Sequence, residues 1–292
     1  RSGQLWQRVV QITRAAQKSG HLQPIATSTR IVPDAGVDFV VRMVDSLNCK
    51  RRAASIAKPA NPFLPCDPHL VVADVSQSHL AVLNKFMVVD HHLLIVTRDF
   101  QRQDAPLTHA DFAALARCLF EYDAVGFYNS TPIAGASQPH RHLQLIPRQP
   151  DPGDGLPGDP LPVEHRLGLS DAPSALVLEC GELPFGHRVW KFRGTDRKSP
   201  AAFSEATLHA YGELLAALGM SEVSSQTHYN LIVTPSWMMA VPRFFECFHE
   251  ISLNAMAYMG MLLVRNAKQL NELVEAGPMA ALVSTAGRYN EC

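Results

Sequence analysis

The run Gln138-Pro139-His140-Arg141-His142-Leu143-Gln144 places two histidines and a glutamine at every second position. Residues 140–146 read as a strand, short and apolar-rich behind a turn-forming loop. Side chains alternate faces on a strand, so His140, His142 and Gln144 share one side, while Arg141 and Leu143 take the other. Such polar groups cannot be buried in a row without partners. Three readings follow. In the first the stripe meets solvent or satisfied partners; in the second it shares a metal ion, although Gln is a poor zinc ligand; in the third it is nucleophilic. A neutral imidazole, with an ordinary pKa of about 6.5, is a nucleophile at pH 7, and a neighbouring amide can donate to a phosphoryl oxygen as charge develops. The preceding loop, residues 129–139, is small and polar. Its Gly135, Ala136 and Ser137 would let the backbone approach a phosphate with N–H groups pointing at it. The combination favours phosphoryl chemistry.

Outward from this strand, the chain reads as two similar halves. Leu5, Val9, Ile12 and Ala16 predict an N-terminal helix stopped at Gly20. Strands are expected over 37–42, 78–86 and 92–97, and Thr108 with Asp111 forms a capping-box pattern opening a helix. Phe112, Leu115, Leu119 and Tyr122 give that helix an apolar stripe. A strand over 126–129 leads into the loop and the histidine strand. Between Pro147 and Pro162, nine of sixteen residues are Pro or Gly, which excludes helix or central strand and marks a surface linker. Beyond it come strands over 175–179 and 189–192, a helix over 204–218 with Leu208, Tyr211, Leu215 and Leu218 on one face, and strands over 229–234 and 238–242. The order strand, strand, helix, strand, strand thus occurs twice. Helices over 250–264 and 268–275 are expected to close the chain. The fold class is α+β: an antiparallel sheet with helices, built as a duplicated unit in one continuous domain (1–292), with halves 1–146 and 164–292 around a linker at 147–163. Only the first half carries the histidines, so one active site per chain is expected.

The composition bounds the function. Of 292 residues, 47% are apolar and 18% charged, with a net charge of −1. This is a folded chain with a large core and without the basic footprint of a nucleic-acid binder. No apolar run approaches the ~20 residues of a spanning helix, and residues 1–6 do not read as a signal peptide; a cytoplasmic enzyme without membrane partners is expected. The six cysteines are scattered, with no C-x-x-C, so neither a disulfide framework nor a zinc site is expected. The cluster Lys50-Arg51-Arg52 reads as a solvated loop.

The stretch 129–146 resembles the histidine triad superfamily, in the branch whose third histidine is Gln. Within that branch it is most similar to the diadenosine tetraphosphate phosphorylase (ATP adenylyltransferase) family, through Gly135-Ala136-Ser137-Gln138-Pro139-His140-Arg141-His142-Leu143-Gln144. The family often has Lys at the place of Arg141. Leu83-Asn84-Lys85-Phe86 through His92 to Thr97 resembles the family's strand pair with a nucleotide-binding Asn and a later His, with Asp90 where Pro is usual. Asn61-Pro62-Phe63-Leu64-Pro65 and Trp237 to Arg243 are further landmarks. The sister galactose-1-phosphate uridylyltransferase family has a metal-binding C-x-x-C that is absent here.

The resemblance implies a two-step transfer without cofactor or metal. His142 would attack the α-phosphorus of a dinucleoside polyphosphate and release ATP, and inorganic phosphate would take the AMP to give ADP. Gln144 and Ser137 would bind the phosphoryl group, with Gly135 and Ala136 in the same loop. His140 would orient His142. Asn129 and Asn84 would bind nucleotide, Lys58 would meet a phosphate, and Phe63 would wall the base pocket; Arg243 is a weaker candidate. Water or sulfate as acceptor, a nucleotide sensor without turnover, and a metal-binding or interaction protein are the alternatives.

Overall fold

The computed structural model describes residues 3–44, 61–148 and 161–288. Lys58, the Lys50-Arg51-Arg52 cluster and most of the 147–163 segment lie outside them. In chain order the elements are α1 (Gln4–Ser19), β1 (Thr27–Asp34), β2 (Val37–Val44), β3 (Val71–Asp74), β4 (His79–Leu83), β5 (Leu93–Thr97), α2 (His109–Glu121), β6 (Ala124–Asn129) and β7 (His142–Pro147). The second half adds β8 (Val177–Leu178), β9 (Arg188–Lys191), α3 (Pro200–Ala217), β10 (Tyr229–Val233) and β11 (Trp237–Pro242). The chain closes with β12 (Cys247–Phe248), β13 (Ile251–Ser252), α4 (Ala255–Tyr258), β14 (Met261–Val264), α5 (Ala267–Ala276) and α6 (Pro278–Ala286).

Nine strands form one antiparallel sheet in the order β3-β4-β5-β7-β6-β10-β11-β9-β8. The expected repeat is visible in this order. The first half contributes β4-β5-β7-β6 around α2, the second β8-β9-β11-β10 around α3, and the inner strands β6 and β10 join antiparallel with Asn129 opposite Asn230. One face of the sheet is packed by α1, α2 and α3 through residues such as Val9, Phe112, Leu115, Tyr211 and Leu214. The other is covered by a three-stranded sheet β1-β2-β14 and the C-terminal helices, around Phe39, Phe127, Ile232, Trp237 and Leu282.

Local chemistry explains the element ends. Gly20 ends α1 in the left-handed region (φ 78°). Asp111 accepts the Thr108 backbone N–H at 2.7 Å at the start of α2, the anticipated box. Helix α6 follows Gly277, which has no side chain to cap with, and the Asp34 carboxylate accepts the Met279 N–H at 2.8 Å instead.

Several expectations need correcting. No continuous helix spans 250–264: that stretch is β13, one turn of helix and β14, and β14 pairs parallel with β2. Gly260 at φ 97° breaks it, and a Cβ there would stand 2.8 Å from Pro162 Cβ. The histidine strand begins at His142, with His140 held by a single bridge to Arg102. Helix α3 begins earlier, at Pro200 behind the Ser199 cap, and buries Phe203, Thr207, Ala210, Tyr211, Leu214 and Leu215, so Leu208 and Leu218 sit at the margin of its buried face. Strands β1 and β3 were not anticipated.

Candidate active site

The histidine strand divides its side chains as its alternation requires. Arg141 points to the helix face, donating to Asp111 Oδ2 at 3.2 Å and Gln101 Oε1 at 2.9 Å. Asp111 also receives His79 Nε2 at 3.1 Å. Burial alone would raise the Asp111 pKa, but the His79 bond, the Arg141 charge and the Thr108 bonds outweigh it and hold the carboxyl below its ordinary value. This buried ion group fixes the strand from behind.

On the other face the hydrogen bonds determine each tautomer. His140 has one nitrogen, Nε2, against the Thr97 carbonyl at 2.8 Å, which can only accept. Its Nδ1 therefore accepts from Asn61 Nδ2 at 2.9 Å, and the Asn61 oxygen takes the Phe63 N–H. Both ring nitrogens of His140 are thus committed, while its backbone carbonyl accepts His142 Nδ1–H at 2.8 Å. His142 is left with a lone pair on Nε2. Burial holds its pKa down at about 4, so the ring is neutral at pH 7.

Gln144 is oriented by a second chain of bonds. The Phe86 N–H donates to Asn84 Oδ1, so Asn84 Nδ2 is the donor to His92 Nδ1 at 3.2 Å. His92 then carries its proton on Nε2 and donates to Gln144 Oε1 at 3.0 Å. Burial keeps the His92 pKa near about 4 as well. The amide NH2 is what Gln144 can offer to a ligand.

Asn129 is treated alike: Asn230 Nδ2 at 2.8 Å and the Ala255 N–H at 3.0 Å both donate to its side-chain oxygen, leaving its amide nitrogen to give. Arg243 donates to Asn230 Oδ1 at 2.7 Å and to the carbonyls of Leu253, Phe245 and Glu246. It is buried in this scaffold, one residue removed from Asn129.

Asn84, His92, Asn129, Gly135, Ser137 and Gln144 line one side of a cleft of about 920 Å³. Leu253, Asn254, Met256 and Ala257 line the other together with Met261 to Leu263 of β14, Arg42 of β2 and Arg265. Gly135 (φ 88°) is required by packing, because a Cβ would lie 2.7 Å from Asn254 Cβ and 2.8 Å from the Leu253 carbonyl. The N–H groups of Gly135 and Ala136 close a turn onto Pro132 and Thr131, so they are not the phosphate donors expected of them; Ser137 is exposed at the cleft. Phe63 is buried with its ring 5.5 Å from the centroids of both His140 and His142. It supports the imidazoles and, like His140 and His142 themselves, stands behind the residues that line the cleft.

The profile described as Ap4A phosphorylase N-terminal domain matches residues 1–167, more than half of the chain. The chain belongs to the Ap4A phosphorylase family. A second profile, ATP adenylyltransferase C-terminal domain, matches residues 181–287. Among similar proteins is diadenosine 5',5'''-P1,P4-tetraphosphate phosphorylase 2 of Saccharomyces cerevisiae, 26% identical over 289 residues, covering 89% of this chain and 87% of that protein. Protein APA1 of the same yeast is 26% identical and covers 90% and 87%. The crystal structure of yeast Ap4A phosphorylase Apa2 in complex with Ap4A shares the fold, with TM-score 0.79, 23% identity and 99% coverage of each chain. The same enzyme in complex with AMP gives TM-score 0.78, at 99% and 98% coverage.

As an Ap4A phosphorylase family member, the protein is an enzyme, and the candidate site extends beyond the residues its motifs picked out. Gln103, from the loop before α2, is 3% exposed. Its Oε1 accepts the His142 N–H at 2.8 Å, and its Nε2 donates to the carbonyls of Asn129 at 2.8 Å and His142 at 3.2 Å. It stands between β6 and β7 where those backbones would otherwise pair. A lone Gln in a loop carries no sequence signal. Asn61 stands in the Asn61–Pro65 landmark without a role of its own, and Asn230 and Arg42 sit in expected strands where one polar residue carries no more signal. Among the described residues, no helix is long and apolar enough to cross a membrane.

Three buried imidazoles, His92, His142 and His187, sit at about 4 through burial. Their folded-state pKa lies below the unfolded value of about 6.5, so between these limits the unfolded chain binds more protons. Stability is therefore expected to fall as the pH drops from about 6.5 toward 4, beginning above the carboxylate range. Urea denaturation at pH 7.5, 6 and 5 checks this; midpoints that do not decline between pH 7.5 and 5 would contradict it.

Proposed function

We propose that the chain cleaves diadenosine tetraphosphate with inorganic phosphate, giving ADP and ATP, and that His142 is the nucleophile. The observation that carries this is the state of His142: a neutral ring whose Nδ1–H is held by the His140 carbonyl, with the Nε2 lone pair uncommitted. Nε2 attacks the phosphorus next to one adenosine, the bond from that phosphorus to the bridging oxygen breaks, and ATP departs. The AMP-histidine keeps its Nδ1 proton and gains positive charge, which the His140 carbonyl stabilises and which makes the ring a good leaving group. A phosphate oxygen then attacks, the P–N bond breaks, and ADP forms. Two easier displacements replace one hard one.

The other residues take roles that their bonds permit. The Gln144 amide donates to the phosphoryl oxygens as charge builds, and Ser137 adds a hydroxyl from the loop. Asn129 and Asn84 contact the nucleotide, Gly135 lets the loop sit against residues 253–254 while the Ala136 N–H closes its turn on Thr131, and His140 positions His142. Lys58 is assigned a phosphate contact from the family resemblance alone. Phe63 serves here as packing for the two imidazoles, in place of the base-pocket wall first expected. The cleft volume suits a ligand with two nucleoside ends.

Incubation with diadenosine tetraphosphate, with and without phosphate, tests the reaction. ADP plus ATP is expected only with phosphate. Steady release of AMP without it would make the enzyme a hydrolase, and no turnover in either arm would leave a binding protein.

A further inference from the structure

Away from the cleft, His21, Asp67 and His69 converge where the chain leaves α1. His21 Nδ1 lies 2.8 Å from Asp67 Oδ2, and the His21 and His69 rings lie 3.8 Å apart. One ligand atom from each of the three falls within 4.8 Å of the other two, the one such group among the described residues. The residues are partly exposed and can be reached from solvent. Asp67 is preset by the His69 N–H, which its Oδ1 accepts at 3.0 Å.

We propose that His21, Asp67 and His69 bind a zinc-type divalent ion, with water in the fourth position. Two imidazole nitrogens and one carboxylate oxygen are a donor set suited to such borderline ions and poorly suited to magnesium or calcium. Ligands at about 2.0–2.1 Å on a tetrahedron stand roughly 3.3 Å apart, so small side-chain rotations convert the present cluster into a coordination shell. His21 lies 46 residues before Asp67 in sequence, which is why no motif announced the group.

The position gives the ion a purpose. Asp67 follows the segment in which Asn61 holds His140 and Phe63 packs on both active-site imidazoles. Cys66 ties back to the Phe63 carbonyl at 3.2 Å. An ion shared with His21 fastens this segment to the end of α1, and so steadies the support of His142 from outside the cleft.

The test is equilibrium dialysis of the chelator-treated full chain against zinc chloride, with metal counted by atomic emission and melting followed in parallel. About one ion per chain is expected, with the melting temperature raised by about 4 °C at saturating zinc. His69→Ala and Asp67→Asn are expected to lose both the ion and the zinc-dependent rise, while melting as the wild type does in chelator. Cobalt substitution should give the absorption of a four-coordinate nitrogen–oxygen site in the wild type only. Wild-type protein that binds no zinc at 100 µM (~100 µM covers structural affinities), or variants that bind as the wild type does, would overturn the proposal.

Discussion

His142→Ala is expected to lower turnover of diadenosine tetraphosphate by about 10,000-fold or more, because it removes the atom that forms the covalent bond. Nucleotide affinity should change little, since the Asn84, Asn129 and Gln144 amides remain. His140→Ala differs in kind. Both nitrogens of His140 are bonded, to Thr97 and Asn61, and its backbone carbonyl, which holds His142, survives the substitution. A loss of about 10- to 100-fold is expected, as for a residue that positions another. Mass spectrometry of the peptide carrying both histidines, after rapid quenching with substrate, should find an acid-labile AMP in the wild type and in His140→Ala. Label on the His142→Ala protein would refute the assignment.

Gln103→Leu is expected to be the next most damaging change. It strands the His142 N–H and leaves the Asn129 and His142 carbonyls without their donor, each costing about 1–3 kcal/mol if buried unpaired. The strand carrying the nucleophile should shift relative to the strand carrying Asn129, and a displacement near 1 Å costs roughly 100-fold in kcat. KM should move less. Gln103→Glu separates positioning from mere stability. As a carboxylate, Glu would face two carbonyl oxygens with no proton to give; once protonated, it supplies one. The variant's kcat should therefore recover as pH falls from 8 to 6, a trend opposite to the loss of fold stability in that direction. Wild-type kcat in Gln103→Leu, or a flat profile in Gln103→Glu, would show that the bonds serve the fold alone.

These two residues mark what could be read from the sequence. The histidine strand was legible because its chemistry recurs at period two, and the strand geometry delivers that period to one face. The sheet and its repeat were legible for the same reason, from short apolar runs and one Pro/Gly-rich break. The 250–264 stretch misled. Its Ala and Met residues favour helix locally, and Ala255–Tyr258 do form one turn, but Gly260 forbids a continuous helix. The roles of Gln103, Asn230 and, within its landmark segment, Asn61 were illegible because nothing in their neighbours' identity announces a bond to a residue from 26 to 101 positions away. Arg243, weighed as a ligand contact, is instead buried scaffold.

The seam between β6 and β10 carries a last consequence. A lone half would present β6 as a bare edge, able to recruit any second copy. Covalent tethering supplies the complementary edge at an effective concentration on the order of millimolar, so the assembly does not dissolve on dilution. It also ends the need for the copies to stay identical. In the first and third positions of β11, Trp237 and Met239 stand where β7 has His142 and Gln144, and both are buried in core. The first copy thus carries the histidines, while the second orients Asn129 through Asn230 and lines the cleft with Leu253, Asn254 and Met256, a division of labour closed to two identical copies.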